Sequence, residues 1–95
     1  MIVKWSPTAL SELDEVYDYI DFRNPKAALR VKISIVETGT QLGHFPDMGQ
    51  AVDQVGLRRQ VIQGLPYILI YRVTDSAVEI ISVVHAKRNR DPDLV

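Results

Sequence analysis

The sequence predicts an α+β domain in which a helical hairpin packs on one face of a small sheet. Two observations favour this class. Apolar residues in the first half recur at helical spacing, whereas those in residues 57–85 form strand-length runs separated by turn residues. Because helices and later strands are grouped instead of alternating, the elements should segregate into two layers.

The first half of the chain predicts one strand and two helices. The stretch MIVKW alternates like a strand, after which Ser6 can cap a helix and Pro7 can begin it. Asn24 and Pro25 repeat this signal for a second helix, which Gly43 can end. Apolar side chains recur at helical spacing at Leu10, Leu13, Tyr17 and Ile20, and again at Ala28, Val31, Ile35 and Leu42. The short break between the helices predicts an antiparallel hairpin.

The second half predicts a three-stranded antiparallel meander. Residues 57–62, 67–73 and 78–85 are strand-like, and the turn sequences QGLP and TDSA join them. The last two strands are apolar at both alternating positions, as is typical of central strands. Since only one helical layer is available, the other face of the sheet should expose an apolar surface suited to a partner. The intervening segment HFPDMGQAVDQVG is expected to be irregular.

Length and composition indicate the class of protein. Ninety-five residues, 46% of them hydrophobic, predict a single domain over residues 1–95 with a modest core. There is no cysteine, so disulfides and thiolate chemistry are excluded and a reducing compartment fits. The N-terminal stretch carries acids where a signal peptide needs an apolar core, and no apolar run is long enough to span a bilayer. We therefore expect a soluble cytoplasmic protein without a membrane partner.

The net charge of −1 is divided unevenly along the chain. Residues 1–56 carry five basic and eight acidic side chains, whereas residues 57–90 carry six basic and two acidic ones. This distribution permits local anion binding but is not typical of a general nucleic-acid binder, which is basic overall. The acids of the first helix are expected on its solvent side: Glu12, Asp14, Glu15 and Asp18.

Five segments in order resemble the RelE/ParE superfamily of bacterial toxins from type II toxin–antitoxin pairs. They are NPKAA, FPDMG, GLRR, YILIYRV and VEIISVVHAKR, and the resemblance runs from Trp5 to Arg88. The stretch VVHAKRN is most similar to the ParE branch, whose last strand commonly ends in a histidine followed by basic residues. The resemblance implies the fold described above. It also implies an antitoxin partner whose tail folds on the toxin and covers the exposed apolar face.

Two activities are implied by the resemblance. RelE-like members cut mRNA in the ribosome, and ParE-like members are described as inhibitors of DNA gyrase. The chain is slightly acidic and lacks the lysine-rich strand that RNA binding favours, so we expect a ParE-like toxin of a plasmid-stabilisation system that acts on gyrase. A ribosome-dependent mRNA endonuclease is the alternative, and a degenerate toxin that only binds antitoxin is a further one.

The nuclease alternative requires an acid–base group and cations around the phosphate. For that activity the catalytic candidates are His85, Arg58 and Arg88, and Tyr71 could add a hydroxyl. Each also has a structural interpretation, because a histidine at a strand end is commonly structural and Arg58 can equally pair with a carboxylate. No cofactor is expected. No metal site is expected either, because neither histidine has an acid at ligand spacing.

The remaining candidates are expected to contact a macromolecule. The residues assigned to gyrase or antitoxin contact are Arg59, Tyr67, Tyr71, Arg72, Lys87 and Arg90. Tyr67 and Tyr71 are four residues apart on one strand and therefore share a sheet face. The basic residues after His85 favour contact with an acidic partner surface.

Overall fold

The computed structural model describes residues 1–52 and 56–87, and it confirms the α+β class. Two helices pack against one five-stranded sheet. In chain order the elements are β1 (Ile2–Trp5), α1 (Pro7–Asp21), α2 (Pro25–His44), β2 (Gln50–Ala51), β3 (Leu57–Val61), β4 (Tyr67–Val73) and β5 (Ala77–His85). No helix in these two ranges has the length and apolar character needed to cross a membrane.

The strand order in the sheet is β1-β5-β4-β3-β2. The meander β3-β4-β5 is antiparallel as predicted, and β1 lies parallel to β5 because the helical hairpin returns the chain across the sheet. The two-residue strand β2 lies in the segment that was predicted to be irregular. It forms because Gln50 pairs with Arg59 and Ala51 pairs with Arg58, and no local sequence pattern indicates these pairings.

Both predicted helix starts are confirmed. The Ser6 hydroxyl accepts a hydrogen bond from the Ala9 amide at 3.0 Å, and the Asn24 side chain accepts one from the Ala27 amide at 3.1 Å. A proline occupies the first turn of each helix, where its missing amide is harmless.

The predicted end of α2 at Gly43 is wrong, since the helix continues to His44. Gly43 is buried because β1 passes directly over it. The N-terminal amine donates to the Gly43 carbonyl at 2.7 Å, and a Cβ at position 43 would lie 2.8 Å from the Met1 oxygen and from Val3 Cγ2. The glycine therefore permits close packing of β1 on α2.

The core lies between the helices and β1, β5 and β4. Its fully buried larger side chains are Tyr71, Ile35, Leu42, Ile62, Leu69, Ile80 and Val78. The inward face of α1 is formed by Ala9, Leu13 and Val16, so of the predicted apolar row Leu13 lies in the core while Tyr17 is half-buried. Leu10 is exposed, and Lys32 Nζ lies 5.3 Å from the ring centre of Tyr17 at the junction with α2.

The other face of the sheet is apolar in one row and charged in another. The register aligns Ile68 with Val61 on one side and with Val84 on the other. Ile68 is buried in this row, whereas Val61 is exposed. Ile70 and Arg72 continue the same face of β4. Arg72 forms an ion pair with Glu79 of β5 at 2.9 Å.

Candidate functional site

The buried Tyr71 of β4 holds the loop between α2 and β2. Its hydroxyl accepts a hydrogen bond from the Gly49 amide at 2.8 Å and donates one to the Pro46 carbonyl at 2.7 Å. A Cβ at position 49 would lie 2.6 Å from the hydroxyl and 2.7 Å from the Arg59 carbonyl, so only glycine fits here without displacement. Burial raises the pKa of Tyr71, while the Gly49 hydrogen bond and the Arg58 charge act in the opposite direction. The hydroxyl therefore stays protonated at neutral pH and serves as a donor.

Arg58 of β3 supports the same loop. It lies opposite Tyr71 in the β3–β4 register, and its Nη1 donates to the Gly49 carbonyl at 2.6 Å. Its Nη2 lies 3.6 Å from a carboxylate oxygen of the exposed Asp47. The segments FPDMG, GLRR and YILIYRV, distant in sequence, thus meet in one structural unit. We call this unit, made of residues 46–49 with Arg58 and Tyr71, the loop anchor.

His85 lies at the end of β5, on the opposite side of β4 from β3. Its Nδ1 accepts a hydrogen bond from the Lys87 amide at 3.1 Å, and its ring meets that of Tyr67 edge-on with centroids 5.3 Å apart. Both rings line a cleft of about 510 Å³ between α1 and β5. The cleft is lined by Glu12, Glu15, Val16, Tyr19, Tyr67, Val83, Val84 and His85. Two carboxylates therefore share this cleft with the histidine.

Glu12 has a role that the sequence did not reveal. The prediction that it lies on the solvent side of α1 is wrong, because one carboxylate oxygen accepts from the Ser82 hydroxyl at 2.7 Å and from the Val83 amide at 3.0 Å. These contacts lie at an irregularity of β5, where the register against β4 shifts between Ile70 and Tyr71. The Val83 amide faces away from β4, and β1 pairs with β5 only as far as Ile80, so the carboxylate supplies an acceptor where no neighbouring strand does. No local signal could have identified a partner 70 residues away.

The structure does not bring the described nuclease candidates together. Arg58 pairs with Tyr71 and His85 pairs with Tyr67, four residues apart along β4. Four residues of strand correspond to roughly 13 Å, and the two side chains also lie on strands flanking β4 from opposite sides. The register therefore places the two residues towards opposite ends of β4, on strands that flank it on different sides. Arg88 lies outside the described residues.

The residues assigned to macromolecular contact are dispersed over the fold. Arg72 is exposed on the sheet face away from the helices, and Arg59 is partly buried on the same face. Lys87 is exposed just beyond β5, whereas Tyr67 and Tyr71 are buried. Arg90 lies outside the described residues. Within residues 1–52 and 56–87, histidines and carboxylates form no group of three that could hold a metal ion.

The comparison with known families decides the identity. A family model described as the ParE toxin of the type II toxin–antitoxin system parDE matches residues 3–90. The chain belongs to this family. The matched range of this ParE-family toxin runs from within β1 past the end of β5, so it includes the loop anchor and the cleft beside His85.

Individual relatives agree with the family match. The toxin is 36% identical to the putative toxin Y4kP of Sinorhizobium fredii, over 88% of this chain and 86% of that protein. It is 30% identical to the toxin RelE2 of Caulobacter vibrioides, over 90% of this chain and 96% of that protein. A solved structure described as the chromosomal ParDE toxin–antitoxin system from P. aeruginosa superposes with a TM-score of 0.80 at 25% identity, covering 90% and 95% of the two chains. This protein is therefore a type II toxin of the ParE/RelE group.

Proposed function

We propose that this toxin arrests growth by ParE-like interference with DNA gyrase in the cytoplasm, through surface contacts and without chemistry, as part of a plasmid-stabilisation system. The family match and the ParDE structural neighbour favour the ParE branch. A cognate antitoxin neutralises the toxin.

The surroundings of His85 carry this proposal. A ribonuclease must stabilise negative charge that grows on phosphate in the transition state. His85 instead shares its cleft with the carboxylates of Glu12 and Glu15, which repel phosphate. Arg58, the described cation of the nuclease hypothesis, is engaged with the Gly49 carbonyl and Asp47. This arrangement favours a binding function over the RelE-like alternative.

The gyrase contact is proposed at the basic end of the chain. Lys87 is exposed beyond β5, and Arg88 and Arg90 follow it in sequence. Arg59 and Arg72 are proposed to extend this contact onto the sheet face away from the helices. Buried Tyr67 and Tyr71 contribute indirectly, by shaping the cleft and the loop anchor.

The antitoxin is proposed to cover the surface around β3, which the helices leave open. α1 and α2 pack mainly on β1, β4 and β5. Val61 of β3 is exposed, and Phe45 and Met48 are exposed in the loop that leads to β2, which pairs with β3. An apolar segment that folds on the toxin would remove this area from water. Val61→Asp should therefore weaken antitoxin binding, whereas Ile2→Asp on the opposite edge strand should not.

Production of the toxin alone in growing cells tests the target. Filamentation, an induced DNA-damage response and intact messages are expected in these cells. In a separate assay, the purified toxin is expected to inhibit DNA supercoiling by purified gyrase. Rapid translation arrest with cut messages would instead support the RelE-like endonuclease. Normal growth in the presence of folded toxin would support the degenerate toxin that only binds antitoxin.

Two variants separate contact from chemistry. His85→Gln should keep its toxicity, whereas joint replacement of Lys87, Arg88 and Arg90 by glutamine should abolish it. Arg23→Gln combined with Lys26→Gln at the turn between the helices is the charge control, and it should remain toxic. Loss of toxicity in folded His85→Gln with the triple variant still active would contradict the surface mechanism.

A further inference from the structure

The outward face of α2 carries an apolar row that the rest of the chain does not cover. Leu29 is 53% exposed, Ile33 is 47% exposed and Val36 is 39% exposed, and Thr40 continues the row. The same helix buries Ala28, Ile35 and Leu42 on its inward side, so α2 is apolar on both faces. We call Leu29, Ile33, Val36 and Thr40 the α2 seam.

The spacing of the α2 seam is that of a coiled-coil contact. Its residues are separated by four, three and four positions, which places them on one line along the helix. Eleven residues correspond to roughly 16 Å of helix, or three turns. A solvent-facing stripe in a monomer would ordinarily carry polar residues here, so the pattern indicates packing against another helix.

The charges beside the α2 seam favour another copy of α2 as the partner helix. Arg30 directly follows Leu29, and Glu37 directly follows Val36, so both lie on the same flank of the seam. When two such helices pack antiparallel about a two-fold axis, this flank of one helix faces the same flank of the other helix, with the order of the residues reversed. Arg30 of each copy then lies opposite Glu37 of the other, which gives two complementary pairs.

We propose that the α2 seam binds the α2 seam of a second copy of the toxin in an antiparallel arrangement. In this dimer, Ile33 packs against Val36 of the other copy and Leu29 packs near Thr40. A parallel pair would need Lys32 opposite Glu37, but Lys32 is directed instead towards the ring of Tyr17. The antiparallel pair uses Arg30 and Glu37, and neither makes such a contact with a ring of α1.

The size of the α2 seam determines the strength of this association. Three half-exposed aliphatic side chains per copy bury well below the roughly 800 Å² per partner of a standard stable interface. The dimer should therefore form reversibly as the concentration rises. Because the α2 seam faces away from the sheet, dimerisation leaves the β3 surface and the basic end of β5 accessible, so the proposal does not depend on the proposed target.

Sedimentation velocity of the free toxin over a wide concentration range tests the proposal. The wild type should show a concentration-dependent dimer, and Ile33→Glu should raise its dissociation constant more than about tenfold, because two charges would be buried at the centre. Leu10→Glu is the matched control, since Leu10 is 48% exposed on α1. It should dimerise like the wild type, and circular dichroism should show that both variants are folded.

Charge exchange tests the orientation. Arg30→Glu alone and Glu37→Arg alone should each weaken dimerisation about fivefold, and the double variant should restore it. A wild type that stays monomeric up to millimolar concentration would overturn the proposal. So would an Ile33→Glu variant that dimerises normally. An Ile33→Glu variant that loses antitoxin binding, while the wild-type toxin is monomeric, would assign the α2 seam to the antitoxin and overturn the dimer.

Discussion

Replacing Tyr71 by phenylalanine removes one buried oxygen from the core and leaves the ring in place. That hydroxyl bonds the Gly49 amide and the Pro46 carbonyl at 2.8 and 2.7 Å. A hydrogen bond contributes about 1 kcal/mol net, and a buried polar group left without a partner costs about 1–3 kcal/mol. We therefore expect Tyr71→Phe to lower the free energy of unfolding by about 2–3 kcal/mol. For a domain of this size, the midpoint of thermal unfolding should fall by roughly 10–20 °C.

Urea unfolding followed by circular dichroism measures this loss. The control is Tyr19→Phe, which deletes an exposed hydroxyl whose neighbour is Arg23 Nη1 at 3.4 Å. This control should change stability by less than about 0.5 kcal/mol. If the two substitutions cost the same, the hydroxyl of Tyr71 does not hold the loop, and the reasoning behind the loop anchor is refuted.

The pH dependence provides a second test of the same hydroxyl. Burial raises the pKa of Tyr71 above its ordinary value of 10.0, so the unfolded chain ionises first. The stabilisation is fully present below pH 10 and is lost as the pH rises through the folded-state pKa. The stability difference between wild type and Tyr71→Phe should therefore shrink above pH 10. A difference that stays constant to pH 11 would contradict this linkage.

Three further outcomes are expected. Glu12→Ala should cost about 1–3 kcal/mol in urea unfolding, because two donors of β5 lose their acceptor, while Glu15→Ala should be nearly neutral. Gly43→Ala should cost about 1–3 kcal/mol in the same assay, since the new Cβ would lie 2.8 Å from the Met1 carbonyl oxygen and 2.8 Å from Val3 Cγ2. His85→Gln should leave growth arrest unchanged in the cell assay, as should the surface control His44→Gln, and a selective loss at position 85 would restore the nuclease hypothesis.

The candidate site was predictable only in part. The residues of the loop anchor stood out in the sequence, but Arg58 admitted two roles there, as a phosphate cation or as a partner of a carboxylate. The structure gives it the Gly49 carbonyl and Asp47, because β3 brings Arg58 beside Tyr71. Glu12 was not predictable, because helical periodicity describes a helix without saying which strand passes beside it.

The sequence by itself determined the helix starts and the antiparallel meander, since these depend on neighbours a few residues apart. Ser6 and Asn24 cap amides three positions away, and strand periodicity needs only the alternation of a few side chains. Only the tertiary structure placed β1 parallel to β5, continued α2 past Gly43 and separated His85 from Arg58. The first two features depend on contacts between residues 40 to 80 positions apart, and the third depends on the register of β3, β4 and β5; both kinds of contact are selected by packing of the whole chain.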